Sequence, residues 1–156
     1  LTVPAYAVTE TSDMQVSANI GMNCTIATTD IAFGAYDPIV ANATSNLTAN
    51  GSVTTTCTVG STGKIIISDG LHQTSESTPA APERRMGGPS EGDYLAYQVY
   101  SDSDLTSVWT GYGDTGVAYA ATGSAQAMTV YGVVPAGQTG AVEGSYSDTL
   151  VVTVNY

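Results

Sequence analysis

The sequence predicts an all-β protein built as a β-sandwich, and three observations carry that reading. Apolar and polar residues alternate in many short runs, the period of a half-buried strand. No window of a dozen residues free of Gly and Pro shows a 3.6-residue apolar period. Ser, Thr, Gly, Ala, Val and Tyr dominate while Lys, Leu and Glu are scarce, and β-branched and small polar side chains suit pleated strands.

The elements follow in order. From Met14 the even positions read Met14, Val16, Ala18, Ile20, Met22, Cys24 and Ile26, one extended run with a single apolar face. Asp30–Gly34 reads as a short strand closed by a glycine, and Tyr36-Asp37-Pro38 as a turn. Val53, Thr55, Cys57 and Val59 share a face, and Ile65-Ile66-Ile67 reads as a strand buried on both sides. Tyr94–Tyr100 is a further strand, Val108-Trp109 a short one, and Met128–Val134 is ended by Pro135-Ala136-Gly137. Leu150, Val152, Val154 and Tyr156 alternate with Val151, Thr153 and Asn155 in the closing strand. Leu71–Asp93, Pro-rich and holding both arginines, reads as the longest loop. Seven or more strands joined by turns, without a repeat or a clear domain break, make a sandwich of one core.

Composition narrows the function. Three Lys plus Arg stand against fourteen Asp plus Glu, a net charge of −11, which argues against nucleic acid and anionic lipid as partners. Charge of that size reads as solubility and mutual repulsion, and would suit saline water. At 42% hydrophobic residues in organised runs the chain is not of the disordered class, and no stretch approaches the roughly 20 apolar residues of a membrane helix. Cys24 and Cys57 both lie in strand-like segments, as a structural disulfide of an exported protein does; two buried free thiols are the rival reading. Ala5-Tyr6-Ala7 has the A-x-A form of a signal-peptidase site, but no basic region precedes it. Leu1 is therefore taken as part of the mature chain, with cleavage after Ala7 as the alternative.

Candidate chemistry is sparse. His72, the only histidine, falls in a polar loop and reads as solvated rather than catalytic. Asp102, Asp104 and Asp114 lack the spacing and closing Glu of a calcium loop. The sequons at Asn42, Asn46 and Asn50 are expected by chance in so Thr-rich a chain. Arg85 is expected to pair with a carboxylate, Tyr146 to be a corner residue, and most of the ten tyrosines to pack on the sheets rather than stack on sugars. No catalytic residue, metal site or cofactor is expected, and the protein is read as a non-enzyme.

The two ends are unusual for a sandwich. The closing strand presents an edge whose free N–H and C=O groups invite another chain. The run before Gly21 is either part of an ordinary first strand or a segment that completes a neighbour's sheet.

Several segments, in order from about Met14 to Tyr156, resemble the spore coat protein U domain family, which includes the pilins of archaic chaperone–usher pili. Cys24-Thr25-Ile26 with Asp30–Pro38 resembles the family's C-x-V…D-L-x-F-G-x-Y-x-P, and Thr55–Gly60 its second cysteine strand. Arg85-Met86 with Leu95–Asp102 resembles R-x-M…L-x-Y-x-L-Y-x-D, and Val108-Trp109 with Gly111-Tyr112-Gly113 resembles V-W-G-x-G. Thr129–Gln138 and Gly144–Tyr156 resemble the two closing segments. The length of Gln73–Pro89 and the extension Leu1–Ser12 depart from the pattern.

The resemblance implies an incomplete immunoglobulin-like β-sandwich completed by a donor strand from a neighbouring subunit. Residues 1–20 would then be an N-terminal extension and residues 21–156 the pilin domain. The donor would lie at about 13–20, with Met14, Val16, Ala18 and Ile20 pointing into a neighbour's groove; the acceptor edge would include Leu150, Val152, Val154 and Tyr156. It also implies a Cys24–Cys57 disulfide that staples the subunit before release. A periplasmic chaperone and an outer-membrane usher would be its assembly partners, and identical subunits in a head-to-tail filament its final ones. The expected role is the shaft subunit of a cell-surface pilus that supports adhesion and biofilm formation. A minor or tip adhesive subunit, or a coat protein that does not polymerise, is the alternative.

Overall fold

A computed structural model describes residues 1–156. It holds eight strands and no helix: β1 (Cys24–Thr29), β2 (Leu47–Cys57), β3 (Lys64–Ile67), β4 (Arg84–Gly87), β5 (Tyr94–Tyr100), β6 (Val117–Ala118), β7 (Gln126–Val134) and β8 (Val152–Asn155). They form two antiparallel sheets, one of five strands in the order β1-β2-β7-β5-β4 and one of three in the order β6-β3-β8.

The core lies between the sheets, and strand alternation selects it. Val53, Thr55 and Cys57 of β2, Ile65 and Ile67 of β3, Leu95, Tyr97 and Val99 of β5, and Val130 and Val134 of β7 are all buried. Trp109 joins them, and its indole N–H donates to the Ile65 carbonyl at 2.9 Å. Cys24 and Cys57 are directly paired in the β1–β2 register and joined by a disulfide. The cross-link ties the first strand of the body to the second.

The strand expectations hold where alternation is strong. Tyr94–Tyr100 is a strand over those same residues, and Met128–Val134 lies within β7. Five expectations need correction. The run Met14–Ile26 is not one strand: β1 starts at Cys24, and residues 1–22 make no ladder and stand exposed. Asp30–Gly34 is not a strand, because no backbone hydrogen bond ties residues 30–36 to any neighbour. Val108-Trp109 forms only a single bridge, Val108 to Tyr100. The 71–93 segment contains β4, which pairs with β5. Val59 leaves the face it was assigned to, since β2 ends at Cys57.

Residues 30–36 are held by side chains instead. Ile31 and Phe33 lie on the large sheet over Gly51 and Gly132, where a Cβ would come within 2.8 Å of Ile31 Cγ1 and of Phe33 Cζ respectively. The Phe33 ring meets Tyr97 edge-on at 6.3 Å. The Tyr36 hydroxyl donates to the Pro135 carbonyl at 2.7 Å and accepts from the Gln138 amide at 3.1 Å.

Candidate functional site: an open groove along an unpaired backbone edge

An apolar groove of about 1180 Å³ runs between residues 28–38 on one wall and residues 141–150 with Val152 on the other. Its floor includes Val53, Ile67, Leu95, Tyr97, Val130 and Val134, the same side chains that build the core. The sandwich is therefore open along this line. On one side residues 30–36 offer unpaired backbone. On the other, β8 is the edge of the small sheet, paired only with β3. Ile26 is on the inner face of β1, opposite the buried Thr55, yet 38% of it is exposed. In a closed sandwich that position would be covered.

Of the acceptor residues, Leu150 and Val152 line the groove. Val154 is half-buried on the same face of β8, packed on the core and paired with Ile65. Tyr156 stands beyond the end of β8, half-exposed, with its hydroxyl 3.5 Å from Asn23 Oδ1. Of the donor residues, Met14, Val16 and Ile20 are 87%, 89% and 83% exposed, and Ala18 is exposed too. The tail thus carries an apolar face that its own chain does not cover.

The acceptor segment changes sheets as it approaches β8. Ser147 exchanges two backbone hydrogen bonds with Gly87 of β4, at 2.8 and 3.0 Å. Four residues on, the Val151 carbonyl accepts from the Ser68 amide beyond β3, and the Val151 amide donates to the Ser68 hydroxyl, each at 2.9 Å. Between them the Asp148 side chain is buried. Its Oδ1 accepts from the Leu71 amide at 2.9 Å and from His72 Nδ1 at 3.1 Å, and its Oδ2 from the Tyr97 hydroxyl at 2.6 Å. Burial, and then the hydrogen bond to Asp148, push the Tyr97 phenol well above its ordinary pKa.

Arg84 is the other buried ionic group missed in the sequence. Its guanidinium donates to the carbonyls of Ser68 (2.9 Å), Ile67 (2.8 Å) and Trp109 (2.7 Å) and to Gln98 Oε1 (2.5 Å). Desolvation lowers its pKa to about 10. The signal was present as the R-x-M spacing of Arg84 and Met86, with Arg84 rather than Arg85 as the first member. Arg85 does not pair with a carboxylate, as had been expected. It lies 3.8 Å from the centre of the Tyr94 ring and donates to the carbonyls of His72 and Gln73.

His72 is likewise more than a solvated loop residue, since it is tied to Asp148, but its Nε2 makes no hydrogen bond to a nucleophile. Asp102 is a turn residue that accepts from Thr106 and Ser107, and no group of three acidic, His or Cys side chains is placed to hold a metal. Asn42 and Asn46 are used inside the fold, bonding Asp37, Ser45 and Ala136. Tyr146 is a corner residue: its hydroxyl donates to the Val142 carbonyl at 2.8 Å.

The model of the spore coat protein U domain matches residues 10–153. The chain belongs to the spore coat protein U domain family. This spore coat protein U domain is also 36% identical over 159 residues to "Protein U" of Myxococcus xanthus, covering 98% of the chain and 88% of that protein. Its fold matches a chain in the crystal structure of the CsuC–CsuE chaperone–tip adhesion subunit pre-assembly complex from the archaic chaperone–usher Csu pili of Acinetobacter baumannii. The TM-score is 0.57 at 18% identity, and the match covers 86% of this domain but only 40% of that chain. The likeness shows an incomplete immunoglobulin-like sandwich and, at that identity, the fold alone. No helix of the domain is long and apolar enough to cross a membrane.

Proposed function

We propose that the protein is a structural subunit of an archaic chaperone–usher pilus, the repeating shaft subunit, polymerised by donor-strand complementation. One observation carries this reading. The same chain presents an open apolar groove between two unpaired backbone edges and an exposed tail with a strand-period apolar face. Residues 1–20 are then the extension and 21–156 the body. Met14, Val16, Ala18 and Ile20 enter the groove of the next copy along Leu150, Val152, Val154 and Tyr156. The pre-assembly complex of the Csu structure pairs a pilus subunit with a chaperone, which supports a periplasmic chaperone as first occupant of the groove. An outer-membrane usher and a cell-surface location follow from the same reading.

The physics is favourable. Each of the three larger donor side chains contributes roughly 1.5–3 kcal/mol on full burial, and each ladder bond roughly 0.5–1.5 kcal/mol. The groove is lined by residues from Thr28 onward and by none of the tail, so a tail seated in another copy's groove makes a head-to-tail contact, which builds a filament where it does not close into a ring.

The test is an unheated SDS gel of secreted protein, full-length beside a form lacking residues 1–20, each expressed with cognate chaperone and usher. A heat-sensitive ladder present only with the intact tail is expected. Monomer in both lanes would overturn the polymer reading. Counting copies per filament separates a shaft subunit, repeated many times, from a tip subunit.

A further inference from the structure

We propose that Asp148, clamped by Tyr97 and His72, is the positioning residue that sets the register of the acceptor edge, and with it the register in which a donor strand pairs. The inference rests on the donor-strand reading above and names what fixes the geometry of that site.

The alternation of Leu150, Val152 and Val154 fixes only which face of the closing strand points inward. A slip of two residues along β3 leaves every inward position apolar, so patterning alone specifies the register weakly. Asp148 breaks that degeneracy. Its side chain is 2% exposed, and a carboxylate so buried must find hydrogen-bond donors. Its three donors come from both sheets: Tyr97 from β5 of the large sheet, and Leu71 and His72 from the chain that follows β3 of the small one. Each distance lies in the ordinary hydrogen-bond range, and a two-residue slip moves the carboxylate about 6–7 Å, out of reach of all three.

The surrounding backbone is cut to fit the clamp. Gly70 has a φ of +89°, and a Cβ there would lie 2.1 Å from Asp148 Oδ2; a Cβ on Gly87 would lie 2.7 Å from His72 Nε2. Asp148 and Tyr97 also line the groove, so the clamp stands at the point where the acceptor segment leaves β4 for β3. An antiparallel donor, the more stable pairing, then sets Met14, Val16, Ala18 and Ile20 opposite Tyr156, Val154, Val152 and Leu150.

The experiment uses the full-length chain. Assembly after chaperone release is timed by the unheated ladder. Register is read by cysteine cross-linking, with Val16→Cys on the donor and Cys placed singly at 152, 154 or 156 on the acceptor. The parent is expected to cross-link through one acceptor position, Val154. Asp148→Ala is expected to slow ladder formation about tenfold or more, as loss of a buried hydrogen-bonding group does, and to spread cross-links over 152, 154 and 156. Tyr97→Phe, which keeps the ring and removes one hydroxyl, is expected to act in the same direction. His72→Asn, which restores an N–H donor, is expected to behave as the parent, and His72→Leu is not. Parent rates and a single cross-link in Asp148→Ala and Tyr97→Phe, even with lowered melting temperatures, would overturn the clamp alone. No ladder from the parent would overturn the donor-strand reading, and the clamp with it.

Discussion

Arg84 occupies the interior with a full charge and four neutral acceptors, three of them carbonyls that no other side chain reaches. Arg84→Met fills the volume but orphans those acceptors. The expected cost is about 3 kcal/mol or more, read as a fall of roughly 6–12 °C in melting temperature. Arg85→Met loses a contact over the Tyr94 ring at the surface, and about 1 kcal/mol is expected. Asp37 and Asp102 act at the acid end. Amide hydrogen bonds from Ile39 and Val40 hold Asp37 below the ordinary value of 3.8, and the Thr106 hydroxyl with the Ser107 amide does the same for Asp102. A carboxylate with a depressed folded-state pKa contributes stability that is complete above its unfolded value and lost as pH falls below it. Hydrogen exchange at the Ile39, Val40, Thr106 and Ser107 amides should therefore speed up, relative to intrinsic rates, only below about pH 4. In Asp37→Asn the Ile39 and Val40 amides should lose that acid dependence.

At the scale of elements, the tail and the groove make opposite demands on one chain. On the proposed donor assignment, Val16→Asp places a charge where a neighbour's apolar groove would receive a methyl-rich side chain, so the ladder should disappear while export of the monomer continues. Normal filaments from that variant would contradict the donor assignment. The Cys24–Cys57 bond closes a sequence separation of 33 residues next to where the tail leaves the body. The chain-entropy estimate gives it about 3–4 kcal/mol, and Cys57→Ser should lower periplasmic yield; an unchanged yield would remove the disulfide from the assembly account. The legible elements were those with clean alternation, Tyr94–Tyr100 above all. β4 was not legible, because Arg84-Arg85-Met86 inside a Pro-rich polar stretch offers no apolar period. Its buried face is an arginine, whose acceptors come from Ile67, Ser68 and Trp109. Asp30–Gly34 showed the reverse: a strand-like composition that lacks a ladder because the chain provides no partner strand beside it.

For the whole molecule, charge is the dominant long-range term. Lys64 donates to the Asp114 carbonyl, Arg84 is buried and Arg85 lies on Tyr94, so no carboxylate is neutralised by a Lys or Arg ion pair. In the proposed filament, copies carrying −11 each repel one another until the apolar contact forms. Raising salt from about 0.01 M to about 0.1 M shortens the screening length from about 30 Å to about 10 Å. Ladder formation should accelerate several-fold over that range, and a rate independent of salt would mean that repulsion does not limit encounter.

The sequence by itself determined the all-β class, the apolar faces of tail and closing strand, and the family, because each is written in short runs of residues that are neighbours along the chain, whereas the bond between Cys24 and Cys57, 33 residues apart, is fixed by the β1–β2 register. Only the tertiary structure decided that the sandwich stays open between residues 30–36 and β8. It also decided that Arg84 is the buried arginine and that Asp148, Tyr97 and His72 meet. These depend on contacts between segments far apart in sequence, where burial and hydrogen-bond partners, not local period, set the outcome.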